Sequence, residues 1–190
     1  VWLRWAGELG GILLARFEDP DQGGFFSTAE GAEELLFRQK PLYDGALPSG
    51  NTLAAGALLR LARHLDRPDF QASAEGALRC AAPLLERAPT GFLGLLSVLD
   101  LALAEPLEIV VAGSPGDPRT RALLREATRP WLPNATLSLV AADPGLPLHQ
   151  GRDGREPGAY VCRNRICAAP VALPEALAVL LQEPPSGLRA

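Results

Sequence analysis

Between Asn51 and Ala104 apolar residues recur at spacings of three and four in three successive segments. The links between those segments are short, so the helices they predict pack as antiparallel hairpins. In the first, Asn51 to Leu65, the residues Leu53, Ala54, Ala57, Leu58, Leu61, Ala62 and Leu65 share one face. The second, Asp69 to Arg87, gathers Phe70, Ala74, Ala77, Leu78, Ala81, Leu84 and Leu85, with a bend expected near Pro83. The third starts at Pro89-Thr90 and runs to about Ala104, burying Phe92, Leu95, Leu96, Leu99 and Leu103. A fourth amphipathic pattern, Trp2 to Phe17, carries Trp2, Leu3, Trp5, Ala6, Leu9, Ile12, Leu13 and Phe17 despite Gly7, Gly10 and Gly11. Each glycine weakens a helix by up to about 1 kcal/mol relative to alanine, so tertiary packing must hold this one.

At Pro106 the period changes. Leu107 to Ala112 is a compact β-branched run ending at Gly113, and Asp117-Pro118 caps a helix from Arg119 to about Arg129. Ala135 to Ala142 reads as a second strand, Ala159 to Cys162 as a third, and Pro174 to Gln182 as a last helix. Strand, helix and strand with short links predict a small βαβ layer with parallel pairing. The fold class is therefore mainly α with a C-terminal α/β unit, with domains at 1–105 and 106–190.

At 190 residues, 47% hydrophobic and 21% charged, the chain is long and apolar enough to bury a sizeable core. A formal net charge of −4, without a dense basic run, argues against a nucleic-acid partner. Apolar runs stop well short of the roughly 18 residues that a membrane span needs. Methionine is absent and Val1 runs straight into a helix pattern, which suggests a piece of a longer or processed chain; Lys40 is the only lysine, so nearly all the positive charge is arginine, a coding bias without functional meaning. Three cysteines are too few for a disulfide scaffold of this size and lean towards a reducing, cytoplasmic setting.

Two polar stretches flank the helices. Tyr43 to Asn51 ("YDGALPSGN") is a bend-prone segment opening into the strongest helix, where Ser49 or Asn51 is a good N-cap. Its plain reading has Asp44 and Ser49 fixing the turn while Phe25 and Phe26 are core. Its sharper reading is a ligand site, with Asp44 as one carboxylate and Phe25 and Phe26 as stacking faces. Asp19 or Asp21 is a remote candidate for a second carboxylate. "EDPDQGGFFST" is expected to turn through Gly23-Gly24 into a short strand or hairpin. Asp19, Asp21, Gly24 and Glu30 also match loop positions 1, 3, 6 and 12 of a calcium-binding EF-hand, but position 5 is Gly23 and an ordinary turn explains the segment better. Ala29 to Lys40, with Glu30, Glu33, Glu34 and Arg38, reads as a solvated helical face.

Cys162 and Cys167 have four residues between them. A turn there would bring them to disulfide distance, and Arg163 and Arg165 would lower a thiolate pKa; a reduced structural pair is the plainer expectation. Cys80 reads as core. His149 is the only further metal ligand near the pair, and no metal or cofactor is expected. His64 reads as surface, and neither histidine has a nucleophile motif around it. "GSPGDPRT" lacks the glycines and the Gly-Lys-Ser/Thr ending of a phosphate loop, so capping explains it.

Taken in order, "GGFFST", "YDGALPSGNTLAAGALLRLAR", "PLEIVVAGSPGDPRTRALL" and "AYVCRNRICAAPV" resemble the C-terminal part of the YyaL or spermatogenesis-associated protein 20 family. The resemblance spans nearly the whole chain. It implies an N-terminal thioredoxin-like domain elsewhere in the parent and an (α/α)6 toroid of the type shared with six-hairpin glycosidases and sugar 2-epimerases. This chain would supply the last hairpins and the α/β appendage, with inner helix faces left open to self-association. On that basis Phe25, Phe26, Tyr43, Asp44, Ser49 and Asn51 would form part of a carbohydrate-like ligand pocket without being catalytic alone. The alternatives are a redox accessory module in which Cys162 and Cys167 exchange disulfides with the thioredoxin-like domain, and a purely structural segment.

Overall fold

A computed structural model of the chain describes residues 2–32, 36–142, 145–152 and 155–182. Two compact units are present, Val1–Leu103 and Ala104–Ala190.

The first unit is helical: α1 (Trp2–Phe17), α2 (Gly50–Leu65), α3 (Pro68–Arg87) and α4 (Leu93–Leu103), with a 3-10 turn at Pro89–Gly91. Its core joins Ala55, Leu58 and Leu59 of α2 to Phe70, Ala74, Ala77 and Ala81 of α3 and to Leu95, Val98 and Leu101 of α4, with Phe25 and Phe92 from the loops. Small residues on α3 let α2 approach closely, and Phe70, fully buried, fills the space against α1. Gly10 explains part of the glycine content of α1, since a Cβ there would lie 2.8 Å from the Phe70 ring, and one on Gly7 would lie 2.9 Å from Leu65. The helix therefore packs through Gly7 and Gly10 and through Leu13, Leu14 and Phe17, while Gly11 meets nothing. Trp2, Trp5, Leu9 and Ile12, which the periodicity counted with them, are exposed. Leu103 is likewise exposed rather than buried, because α4 turns Leu95, Val98 and Leu101 inward.

The predicted helix between Ala29 and Lys40 is not formed in its described parts, which are turns and bends; Glu33 and Glu34 lie outside the described residues. Glu18 and Phe25 make an isolated antiparallel bridge, a minimal hairpin around the Asp19 turn.

The second unit is a four-stranded sheet of order β2-β1-β3-β4, formed by β1 (Leu107–Ala112), β2 (Ala135–Leu139), β3 (Gly158–Arg163) and β4 (Ile166–Cys167), with α5 (Pro118–Thr128) and α6 (Pro174–Gln182). β1 and β2 pair in parallel through the α5 crossover, as the strand-helix-strand pattern predicts. β3 inserts antiparallel to β1, which makes the sheet mixed rather than uniformly parallel. A parallel β3 would need a crossover of a dozen or more residues, usually helical. Among the described residues, 140–157 hold only 3-10 turns at Val140–Ala142 and Pro147–His149. Alternation splits the sheet's apolar residues: Leu107, Ile109, Val111 and Val161 pack with Leu123 of α5 and Leu177 and Leu181 of α6, whereas Val110, Ala112 and Tyr160 pack with Val140 and Leu148 on the other face.

Candidate functional site

The Tyr43–Asn51 stretch is assembled around one carboxylate. Asp44 Oδ1 accepts from the Ser49 amide at 2.7 Å and from the Thr52 hydroxyl at 2.7 Å, and Oδ2 accepts from the Leu95 amide at 2.9 Å. Burial pushes the Asp44 pKa up, but these hydrogen bonds outweigh it and hold the group below its ordinary value of 3.8. Such a carboxylate is an anion at neutral pH, whereas a general acid needs a raised pKa. Ser49 is the N-cap of α2, its side chain accepting from the Thr52 amide at 3.1 Å. Asn51, in the first turn of the helix, turns inward instead of capping it. It takes the Phe25 amide on Oδ1 at 2.6 Å and donates from Nδ2 to the Phe25 and Pro41 carbonyls, both at 2.9 Å.

The candidate ligand residues therefore form four groups. Asp44 and Ser49 tie the starts of α2 and α4 together. Asn51 clamps Phe25, which is core. Tyr43 lies edge-on to Phe92, with ring centroids 5.9 Å apart, yet stays 66% exposed. Phe26 is covered by the Arg38 guanidinium, 4.1 Å from its ring centroid.

The EF-hand-like loop is filled by an ammonium group. Lys40 Nζ donates to Asp19 Oδ2 at 2.6 Å and to the Gly23 carbonyl at 2.8 Å, while Asp19 Oδ1 accepts from the amides of Asp21 and Gln22. Among the described residues no group of three or more His, Cys, Asp or Glu side chains could hold a metal ion. The Lys40 hydrogen bond is the main reason that the Asp19 pKa lies below its ordinary value of 3.8, with the turn amides assisting against burial. Lys40→Gln is expected to cost about 1.5–3 kcal/mol by removing a hydrogen-bonded charge partner from a largely buried carboxylate. A depressed folded pKa contributes stability above the unfolded value and loses it as pH falls through the folded one. The variant's deficit, measured by urea denaturation, should accordingly shrink below about pH 4.

In the second unit Cys162 and Cys167 are disulfide-bonded rather than reduced. They stand directly opposite each other on β3 and β4, because Asn164 and Arg165, both in the left-handed region, turn the chain straight back in two residues. Cys162 is fully buried and Cys167 is exposed. The cation at the bridge is not one of those that the sequence nominates. Arg163 donates to the Leu180 carbonyl at 3.2 Å, and Arg165 occupies the turn. Instead Arg152 Nη2 contacts Cys162 Sγ at 3.0 Å and Cys167 Sγ at 3.4 Å. Arg152 Nη1 donates to the Leu148 carbonyl, and the guanidinium lies 5.3 Å from the Tyr160 ring centroid. Nothing local marks Arg152 in the sequence; only the fold of β3 under the preceding turn brings it there.

Cys80 is a free, half-buried thiol rather than a core residue. Buried His149 has Ser138 Oγ 2.7 Å from its Nε2, a pairing from two separate segments that no spacing signals. Asp117 caps α5, accepting from the Arg119 amide at 2.8 Å, so a carboxylate holds the place that a phosphate loop would give to an anion. Among the described residues no helix is long and apolar enough to cross a membrane.

No family model matches the chain. Sequence relatives do exist. The chain is 31% identical over 96% of its length to spermatogenesis-associated protein 20 of Mus musculus, and 30% identical over 95% of its length to the protein of that name from Homo sapiens. In both it corresponds to 24% of the relative, so it spans about a quarter of their length.

Proposed function

We propose that this chain, a relative of spermatogenesis-associated protein 20 matched over one quarter of that protein's length, is a structural segment whose own chemistry is thiol–disulfide exchange at Cys162–Cys167. Its partner would be a dithiol such as that of a thioredoxin-like domain. One observation carries the reading: the bridge joins an exposed and a buried cysteine, and a guanidinium touches both sulfurs. A cation beside a sulfur stabilises the thiolate and hence the reduced form, which is what distinguishes working disulfides from structural ones. Such a bridge suits a reducing cytoplasmic compartment, where the disulfides that occur are usually transient or redox-sensing.

The test is equilibration of the intact chain with reduced thioredoxin or dithiothreitol, followed by thiol counting. Reversible conversion from one free thiol to three is expected. A bridge that stays oxidised in buffers poised below about −300 mV would be structural, and the reading would fail.

Tyr43 favours a second reading, in which α1 to α4 are hairpins of an (α/α)6 toroid and Tyr43 to Asn51 edges a pocket for a sugar-like molecule. An aromatic ring left largely exposed beside a fixed turn offers a stacking face. The exposed row Trp2, Trp5, Leu9 and Ile12 would then meet further hairpins or, in the chain alone, a second copy. Titration of a sugar panel into the full-length parent, with Tyr43→Ala as the control, should give saturable binding that the substitution weakens; no binding by the parent rejects this reading.

A further inference from the structure

We propose that Arg152 fixes the direction of exchange, so that an incoming thiolate attacks Cys167 and Cys162 leaves as a thiolate on the guanidinium. The inference rests on the exchange reading above. Cys167 lies on the edge strand β4 and is exposed, whereas Cys162 lies on β3 and is fully buried, so only one sulfur is open to a protein nucleophile. The leaving group is the sulfur nearer Arg152 Nη2, at 3.0 Å against 3.4 Å. Leaving is faster for the thiol of lower pKa, and a cation in contact lowers it. Arg152 is held in place by its bond to the Leu148 carbonyl and by Tyr160.

The step balances. A partner thiolate forms a bond to Cys167 Sγ as the Cys162–Cys167 bond breaks, and the electron pair goes to Cys162 Sγ. The partner's second thiolate then attacks the partner sulfur of the mixed disulfide, closing the partner's disulfide and releasing Cys167 as a thiolate that takes a proton from water. Two electrons pass from the partner dithiol to this chain, while Cys162 stays ionised against Arg152. The partner class is thus a protein dithiol that can reach a strand edge.

The probe is a thioredoxin whose resolving cysteine is replaced by serine, incubated with the intact oxidised chain, followed by peptide mapping of the trapped mixed disulfide. Attachment at Cys167 is expected; attachment at Cys162 overturns the proposal. In dithiothreitol equilibration, Arg152→Gln should lower both the equilibrium constant and the rate of reduction about tenfold, in keeping with a lost thiolate partner. Arg152→Lys should recover most of the loss, and Arg165→Gln, an equal change of charge, should leave both within about twofold. Because the mapping uses the unaltered chain, it stands even if Arg152→Gln does not fold. A wild-type bridge that neither reagent opens defeats the exchange reading and this inference with it. A bridge that opens equally well in wild type and Arg152→Gln defeats the role of Arg152 alone.

Discussion

Asp44→Ala is expected to destabilise the helical unit by about 3–5 kcal/mol, because three donors lose their acceptor together and two of them are buried backbone amides. The residue is not decorating one turn. The segment before α4 ends in Phe92, which has no side-chain oxygen to cap a helix, so the carboxylate that satisfies the Leu95 amide comes from 51 residues earlier in the chain. The same carboxylate holds the Ser49 amide and the Thr52 hydroxyl at the start of α2, so α2 and α4 begin on one anion. Asp44→Asn keeps one oxygen but sets an amide donor or a neutral oxygen against the Leu95 amide, and it removes the negative charge from a helix N-terminus. A smaller loss of about 1–3 kcal/mol is expected. Amide exchange of α2 and α4 reads the effect in this unit alone. The sign with pH is fixed by the depressed pKa. The advantage of wild type over Asp44→Asn is full above the ordinary value of 3.8 and shrinks as pH falls through the lower folded value. An Asp44→Ala variant with unchanged exchange protection would release Asp44 from this structural task and return it to the ligand reading.

Asn51→Ala should cost about 2–4 kcal/mol, the second largest effect. Its amide acts as a piece of added backbone, exchanging two hydrogen bonds with Phe25 as a paired strand residue would and donating a third to Pro41. Asn51→Asp is the sharper test. It preserves shape but replaces a donor with an acceptor facing two carbonyls, so it should be no more stable than the alanine variant. Equilibrium unfolding of the three proteins decides the point. An aspartate variant as stable as wild type would mean that Asn51 is held by shape and not by its hydrogen-bond pattern.

The helices after residue 50 were legible because their apolar spacing is dense and two of their starts carry ordinary signals: Ser49 caps α2 and Asp117-Pro118 opens α5, whereas Pro68, which opens α3, reads as part of the link before it. The site was legible only in its parts. Asp44 and Ser49 could be read as turn-forming residues, but the Leu95 amide lies too far along the chain for any local rule. Lys40 looked like one more charge on a solvated face until the loop closed around it and made it the counter-ion of Asp19. The cysteines raised both a bridge and a reduced pair. The choice between them rests on Arg165 entering the left-handed region beside Asn164, which an arginine does not advertise.

From the sequence alone came the division into helical hairpins followed by an α/β unit, the parallel pairing of β1 with β2, and the kinship with spermatogenesis-associated protein 20. The first two are properties of period and local order, which a chain carries in one dimension, and the third rests on the resemblance of whole motifs taken in order. Tertiary structure decided the antiparallel insertion of β3, the face of α1 that packs, the sharing of Asp44 by two helices, and the meeting of Arg152 with the disulfide. The face of α1 depends on close packing of Gly7 and Gly10 against Leu65 and Phe70, and the others on which donors and acceptors find partners at close range. That pairing is settled only when distant segments are brought together and water is removed from between them.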